Sequence, residues 1–221
     1  MLLYGQLFRR ITDLPGFETN EYLSYLTPGI VVMTALFSGG WNGFGVIEDI
    51  NRGVMDRFLV TPASRGAIIA GRIAQLAIIA VIQSTILLVI GAVLGADYSN
   101  VLGVLVLVLS ALLLGAAFGG LSNAMSLVIR KEETLIAAVN LIVLPLTFMS
   151  TLFLARILIP GWIRTVAAVN PVDWAVVAGR EAVSASPDWA VIGGRMSLLT
   201  AFALIAGWLA TKAFRAYQRS V

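Results

Sequence analysis

The chain carries 15 basic and 12 acidic side chains, and they are placed so that five long stretches contain none. There are 26 uncharged residues between Glu21 and Glu48, 24 between Arg72 and Asp97, and 32 between Asp97 and Arg130. A further 22 lie between Glu133 and Arg156, and 16 between Arg195 and Lys212. A helix needs about 20 apolar residues to cross a hydrocarbon layer ~30 Å thick. The first four windows meet that length. The fifth is short, but Arg195 and Lys212 can extend their charged tips to the headgroups. Spans are therefore expected near residues 28–47, 73–95, 101–129, 134–155 and 195–212. Membrane β-strands run about 10 residues and alternate apolar with polar side chains. These runs are too long and too uniform for that. The expectation is an all-α integral membrane bundle forming one transmembrane domain over residues 1–221.

Composition agrees and removes several chemistries. Apolar residues make up 59% and charged residues 12%, with a mean hydropathy of +0.92. Soluble domains have roughly 45–50% and ~25%, so there is too little polar residue here to cover a water-facing surface. Histidine and cysteine are both absent. That excludes a His-based triad, a thiolate nucleophile, a His- or Cys-ligated zinc and a disulfide framework. No catalytic residue, metal site or bound cofactor is expected. The net charge of +3 is scattered rather than gathered into a stripe, so nucleic acid is not an expected partner. Met1–Phe8 is apolar but too short to cross, and it lacks a basic leader and a cleavage site. It reads either as an interfacial segment or as the tail of another span.

The connections give an orientation. If they alternate sides, one side receives Arg52, Arg57, Arg65, Arg72, Arg130, Lys131, Lys212, Arg215 and Arg219. The other receives Arg9, Arg10, Arg156, Arg164, Arg180 and Arg195. The nine-residue side is expected to be cytoplasmic, which places the C-terminus and the segment 48–72 inside and the segment 156–194 outside. Segment 48–72 is the most charged stretch. It reads as a short amphipathic helix broken at Thr61–Pro62, with Ser64 able to cap the next helix. It is either an ordinary solvated connector or a lever for a soluble partner. Pro160–Gly161, Asn170–Pro171 and Ser186–Pro187 cut the outer segment into pieces.

Within the spans, Gly115 and Gly119 form a small-xxx-small pattern suited to close helix packing. Intra-subunit packing is the plainer reading, a dimer seam or moving gate the alternative. Asn140 is an amide that must find a partner, and Pro145 should kink its span. Gln83, Ser84, Ser122, Asn123 and Ser126 read as interhelical hydrogen-bonding groups. Trp162, Trp174, Trp189 and Trp208 suit anchoring at the membrane interface.

The run from Tyr22 to Arg72 resembles the membrane subunits of type-2 ABC exporters, and within them the daunorubicin/doxorubicin-resistance-like drug-efflux permeases. The residues that carry the likeness are Tyr25-Leu26, Pro28-Gly29, Arg52-Gly53, Asp56-Arg57, Pro62, Ser64-Arg65 and Gly71-Arg72. A second block contributes Asn140, Pro145-Leu146, Ser150, Pro160-Gly161-Trp162, Asn170-Pro171 and Arg180. The resemblance implies a cell-membrane (plasma or inner) permease of six spans that pairs with a second permease chain, as a homo- or heterodimer. It also implies two copies of a cytoplasmic ABC ATPase subunit, which bind the ATP and magnesium. Gly53, Asp56, Arg57, Phe58, Pro62, Ser64 and Arg65 would then contact the ATPase. Pro160, Trp162, Asn170, Pro171 and Arg180 would belong to short re-entrant helices on the outer side. Compared with the family, the first span is incomplete, and Met1–Phe8 would be its end.

The chain's only lysines, Lys131 and Lys212, lie outside any Gly-rich phosphate-binding loop, so ATP hydrolysis must belong to a partner. A gradient-driven carrier would place carboxylates or histidines mid-membrane, and the acids here lie at or outside the window ends. A membrane-embedded lipid-modifying enzyme would need clustered carboxylates. Only the adjacent pairs Glu48/Asp49 and Glu132/Glu133 come close. The expected function is outward, ATP-driven movement of an apolar or amphipathic substrate. Polysaccharide or glycolipid export by the same kind of subunit is the alternative, and a non-transporting scaffold or channel a further one.

Overall fold

A computed structural model describes residues 22–53, 65–153, 156 and 159–218. The described residues form eight helices and no strand. They are α1 (Tyr22–Trp41), α2 (Gly43–Asn51), α3 (Arg65–Val93), α4 (Val101–Ile129), α5 (Glu132–Phe148), α6 (Gly161–Ala168), α7 (Pro171–Val183) and α8 (Trp189–Gln218). Four are long and apolar enough to cross a membrane: α1 continued by α2 (Leu23–Asn51), the Ala74–Val93 part of α3, α4, and the Trp189–Phe214 part of α8.

The charge windows locate these four closely, and α4 coincides with its window. The side chain of Asn100 accepts from the Gly103 N–H at its start, and Arg130 ends it in the left-handed region at φ 53°. The 16-residue window near the C-terminus sits inside a 30-residue helix. Its flanking charges stay within the helix: the Arg195 guanidinium reaches the Ala168 carbonyl, and the Lys212 ammonium lies 5.2 Å from the Trp208 ring centroid.

The fifth expected span is different. Helix α5 stops at Phe148 after 17 residues, and residues 149–153 are not helical, so 134–155 is not one continuous helix. Pro145 lies in the last turn of α5 instead of bending the middle of a span. The chain is diverted there by side chains of α7, described below.

Helix α4 is the hub, packing against α1, α2, α3, α5, α7 and α8. Its buried Leu107, Ala111, Leu114 and Phe118 form the core with Val31, Val32 and Leu36 of α1 and Val172, Ala175 and Val176 of α7. The outward surfaces are apolar instead of polar. Ile78, Ile82, Ile86, Val89 and Val93 form an exposed stripe along α3, as required where lipid replaces water.

Helices α1 and α4 cross at glycine. A Cβ at Gly39 would lie 2.3 Å from the Gly115 carbonyl oxygen, and one at Gly115 would lie 3.1 Å from the Ala35 carbonyl oxygen. The small residues of α4 thus serve a contact within this chain. Ser122 extends the seam: its hydroxyl donates to the Gly40 carbonyl and accepts from the Gly43 N–H at 3.0 Å.

Candidate functional site

Two polar systems lie on opposite halves of α1. The first is a groove of about 490 Å³ lined by Met33, Thr34, Phe37, Ser38, Trp41 and Asn42. A helix aligns residues four apart, so the lining resolves into two parallel rows. Met33, Phe37 and Trp41 form an apolar, largely aromatic row, which Phe44 extends by stacking on Trp41 at 5.2 Å. Thr34, Ser38 and Asn42 form a polar row beside it.

Each polar rung is tied down. The Thr34 hydroxyl donates to the Ile30 carbonyl at 2.9 Å. That of Ser38 donates to Gln83 Oε1 of α3 at 2.8 Å. The Asn42 amide donates to Asn123 Oδ1 of α4 at 3.0 Å. Polar groups within a membrane span are costly and mark sites of function. The groove offers apolar area beside a fixed line of hydrogen-bonding groups, the combination that receives an amphipathic molecule. The sequence reading had no view of this site. Its signal was nonetheless present, in Thr34, Ser38 and Asn42 at intervals of four within one uncharged window.

The second system is a buried knot where α1 begins, α5 ends and α7 is wedged. Asn170 is the N-cap of α7, with its side chain accepting from the Val172 N–H, and Pro171 follows at the first helical position, both favourable there. The Asn170 amide also donates to the carbonyls of Leu146 at 2.7 Å and Met149 at 3.0 Å. Asp173, 1% exposed, accepts from the Thr151 N–H at 2.8 Å and the Thr151 hydroxyl at 2.6 Å. Arg180 donates to the carbonyls of Thr151 and Leu152 at 3.1 and 3.2 Å. Its guanidinium carbon lies 3.5 Å from the centroid of the Tyr25 ring, a cation–π geometry. The Tyr25 hydroxyl donates to the Thr151 carbonyl at 3.2 Å.

Asn170, Pro171 and Arg180, expected in short re-entrant helices on the outer side, stand at the cap of α7 and within it, and that helix is packed against α1, α4 and α8. Asp173 and Thr151 were not foreseen. Pro160 precedes α6, and Trp162 on that helix is 61% exposed. Asn140 is half-buried on α5.

At the other end of α1–α2, Glu48 and Arg52 pair on the exposed surface and Gly53 takes a left-handed φ of 66°. Asp56, Arg57, Phe58, Pro62 and Ser64 lie outside the described residues, and α3 begins at Arg65. No group of three or more carboxylates among the described residues is arranged to hold a metal ion.

Residues 1–183 match the ABC-2 type transporter family. The chain belongs to that family. It is 29% identical over 166 residues to the daunorubicin resistance ABC transporter permease protein DrrB1 of Streptomyces coeruleorubidus, covering 74% of this chain and 58% of the relative. It is 28% identical over 178 residues to the putative transport permease ycf38 of Cyanophora paradoxa, covering 80% and 61%. With ycf38 of Pyropia yezoensis it shares 27% over 183 residues, covering 81% and 62%. These alignments span about three-fifths of the relatives' own lengths. No solved structure matches the chain. This ABC-2 chain is thus a membrane protein of a transport-permease family, with four helices able to cross among the described residues and the two polar systems arranged along α1.

Proposed function

We propose that this chain is the membrane subunit of an ATP-driven exporter that moves an amphipathic, drug- or lipid-like substrate outward along the α1 groove. The observation that carries the substrate side is the pairing of the Met33–Phe37–Trp41 row with the Thr34–Ser38–Asn42 row in one open groove along α1, within a stretch long and apolar enough to cross a membrane. The DrrB1 relative, named for daunorubicin resistance, favours the same reading.

Energy comes from two copies of a cytoplasmic ATPase subunit, which hold the nucleotide and magnesium. A second permease chain, identical or not, completes the membrane unit. The ATPase docks on the segment following α2, with Gly53, Asp56, Arg57, Phe58, Pro62, Ser64 and Arg65 providing the contact. The left-handed Gly53 supports this placement, since a turn there directs the chain away from the end of α2. The excess of arginine and lysine on that side supports a cytoplasmic C-terminus in the cell membrane. Helices α6 and α7 are the re-entrant pair on the outer side.

The test is co-expression with an ABC ATPase encoded beside it, reconstitution into vesicles, and ATP-dependent efflux of fluorescent amphipathic dyes. Phe37→Ala should lower efflux roughly fivefold or more, the loss expected from ~1 kcal/mol of apolar contact. Ile82→Ala on the exposed α3 stripe should leave it unchanged. Equal efflux by both variants would rule out the groove as the substrate's path.

A further inference from the structure

We propose that residues 149–153 are a winding switch: a stretch that extends α5 as helix when released and is held unwound when α7 captures it. The local competitor at the end of α5 is Ser150, whose hydroxyl donates to the Thr147 carbonyl and accepts from the Leu152 N–H, and it is too weak to stop the helix by itself. Residues 146–155, LTFMSTLFLA, contain no glycine, proline or charge, and the uncharged window runs on to Ala155. The stop comes from elsewhere in the fold. Three side chains at the cap of α7 and along it, at positions 170, 173 and 180, hold the backbone of this stretch. A helix continued to Phe153 would pair the Leu146 and Met149 carbonyls and the Thr151 N–H internally, while the Thr151 and Leu152 carbonyls would fall in its last turn. Asn170 occupies the Leu146 and Met149 carbonyls, Asp173 the Thr151 N–H, and Arg180 the Thr151 and Leu152 carbonyls. Non-helical backbone at membrane depth persists only where protein or water satisfies it. Here α7 supplies most of those partners, with Ser150 Oγ taking the Leu152 N–H and the Tyr25 hydroxyl of α1 adding a second donor to the Thr151 carbonyl.

Thr151 shows what is exchanged. Thr27, Thr34, Thr85, Thr147, Thr165, Thr200 and Thr211 each donate back to the carbonyl four residues earlier in their helix. Thr151 instead donates to Asp173. Winding returns its N–H and hydroxyl to the Thr147 carbonyl and lengthens α5 from 17 to 22 residues, about 7 Å more, which is enough to cross a membrane. The captured state is also incompletely satisfied: Asp173 Oδ2 is buried with no hydrogen-bond partner among the described residues. A buried oxygen left so destabilises the captured form, which keeps the two arrangements close in energy. Winding withdraws α5 from α7 and leaves Asp173 and Arg180 to water, so it coincides with opening at this end of the bundle. The inference stands on the backbone exchange and does not depend on which substrate is carried.

The chain has no cysteine, so a spin-label pair is introduced without other change. Labels at Ile136→Cys and Phe153→Cys in the full chain in lipid nanodiscs lie about 26 Å apart at the backbone when α5 is continuous, from 17 residues at 1.5 Å each. Turned-in residues 149–153 hold Phe153 off the α5 axis. Arg180→Gln should raise the continuous-helix component severalfold over the unsubstituted pair. Ser150→Gly added to Arg180→Gln should reduce it again, because glycine penalises the wound form; simple loss of a structural contact would not reverse this way. Ser150→Ala alone, a mild change, should raise the same component. It decides the matter if Arg180→Gln does not yield folded protein. No new component in monodisperse Arg180→Gln or Ser150→Ala, or only a broad distribution without helical spacing, overturns the proposal.

Discussion

One methyl group added at Gly39 should unseat α1 from α4. In Gly39→Ala the new carbon would sit 2.3 Å from the Gly115 carbonyl oxygen and 3.1 Å from that residue's Cα and carbonyl carbon. All three are backbone atoms of a packed helix, so no rotamer change relieves the contact. The helices must part by roughly 1 Å, and overpacking of this kind costs about 1–3 kcal/mol. The same separation stretches bonds across the seam. The Gly43 N–H to Ser122 and Asn42 to Asn123 bonds, each 3.0 Å long, would pass out of hydrogen-bonding range. Interhelical bonds in membranes average ~0.6 kcal/mol, so the total is roughly 2–4 kcal/mol. Thermal unfolding of detergent-solubilised protein, followed by loss of the monodisperse chromatographic peak, should show a fall of roughly 5–15 °C. Two glycines provide the scale. Gly45→Ala meets nothing within 4 Å and should not lower the transition. Gly119→Ala meets the tip of the Leu76 side chain, which can rotate away, so its fall should be small. If Gly39→Ala melts within about 2 °C of Gly45→Ala, the glycine contact does not set the α1–α4 distance and the reasoning fails.

Ser122→Ala leaves the Gly40 carbonyl and the Gly43 N–H without their shared hydroxyl, and should cost about 1–2 kcal/mol in the same assay; no measurable shift would mean these groups find other partners. Tyr98, in the connection between α3 and α4, is held above its ordinary pKa of 10.0 by burial, against a smaller opposing effect of its hydrogen bond with Thr27. The fold therefore favours the protonated phenol. This contribution is fully present below pH 10 and is lost as pH rises through the folded value. Transition temperatures between pH 9 and pH 11.5 should fall less steeply for Tyr98→Phe, and parallel curves would refute the linkage.

How far each feature was legible follows from whether its cause is local. The ends of α4 could be read because Asn100 caps its start and charge begins at Arg130, both local signals. The Asn170–Pro171 start of α7 is local in the same way. The length of α8 was underestimated because Arg195 and Lys212 were treated as boundaries, when their long side chains reach the Ala168 carbonyl and the Trp208 ring while the backbone stays helical. Gly115 and Gly119 announced a close approach without naming its partner, since a small-residue pattern is equally compatible with α1 and with a second chain. The stop in α5 could not be read, because most of the bonds that impose it come from residues 21 to 29 positions further along the chain.

Helix α1 joins the groove to the knot, and its contacts limit how the two can move. Along its buried side it is locked to α4 by Gly39 and by Ser122 on the backbone of Gly40 and Gly43. Those bonds and that approach cannot slide without clashes, so α1 and α4 must travel as one body. Its link to α3 is of another kind: the Ser38 to Gln83 bond joins two side chains, and Gly91 of α3 faces the Tyr98 hydroxyl and the Thr27 side chain instead of backbone. Side-chain contacts of that sort can be exchanged at little cost. Movement that widens or narrows the groove is therefore expected between α3 and the α1–α4 pair, with the Ser38–Gln83 bond broken and remade. At the far end, Tyr25 rides on α1 while Arg180 and Asp173 ride on α7. Helix α7 belongs to the same body, since a Cβ at Gly103 of α4 would lie 2.0 Å from the Ala182 carbonyl oxygen, so a displacement of that body pulls on Thr151 through Tyr25, Asp173 and Arg180 together. The groove and the unwound end of α5 are thereby coupled mechanically by one rigid body, without any contact between their own residues.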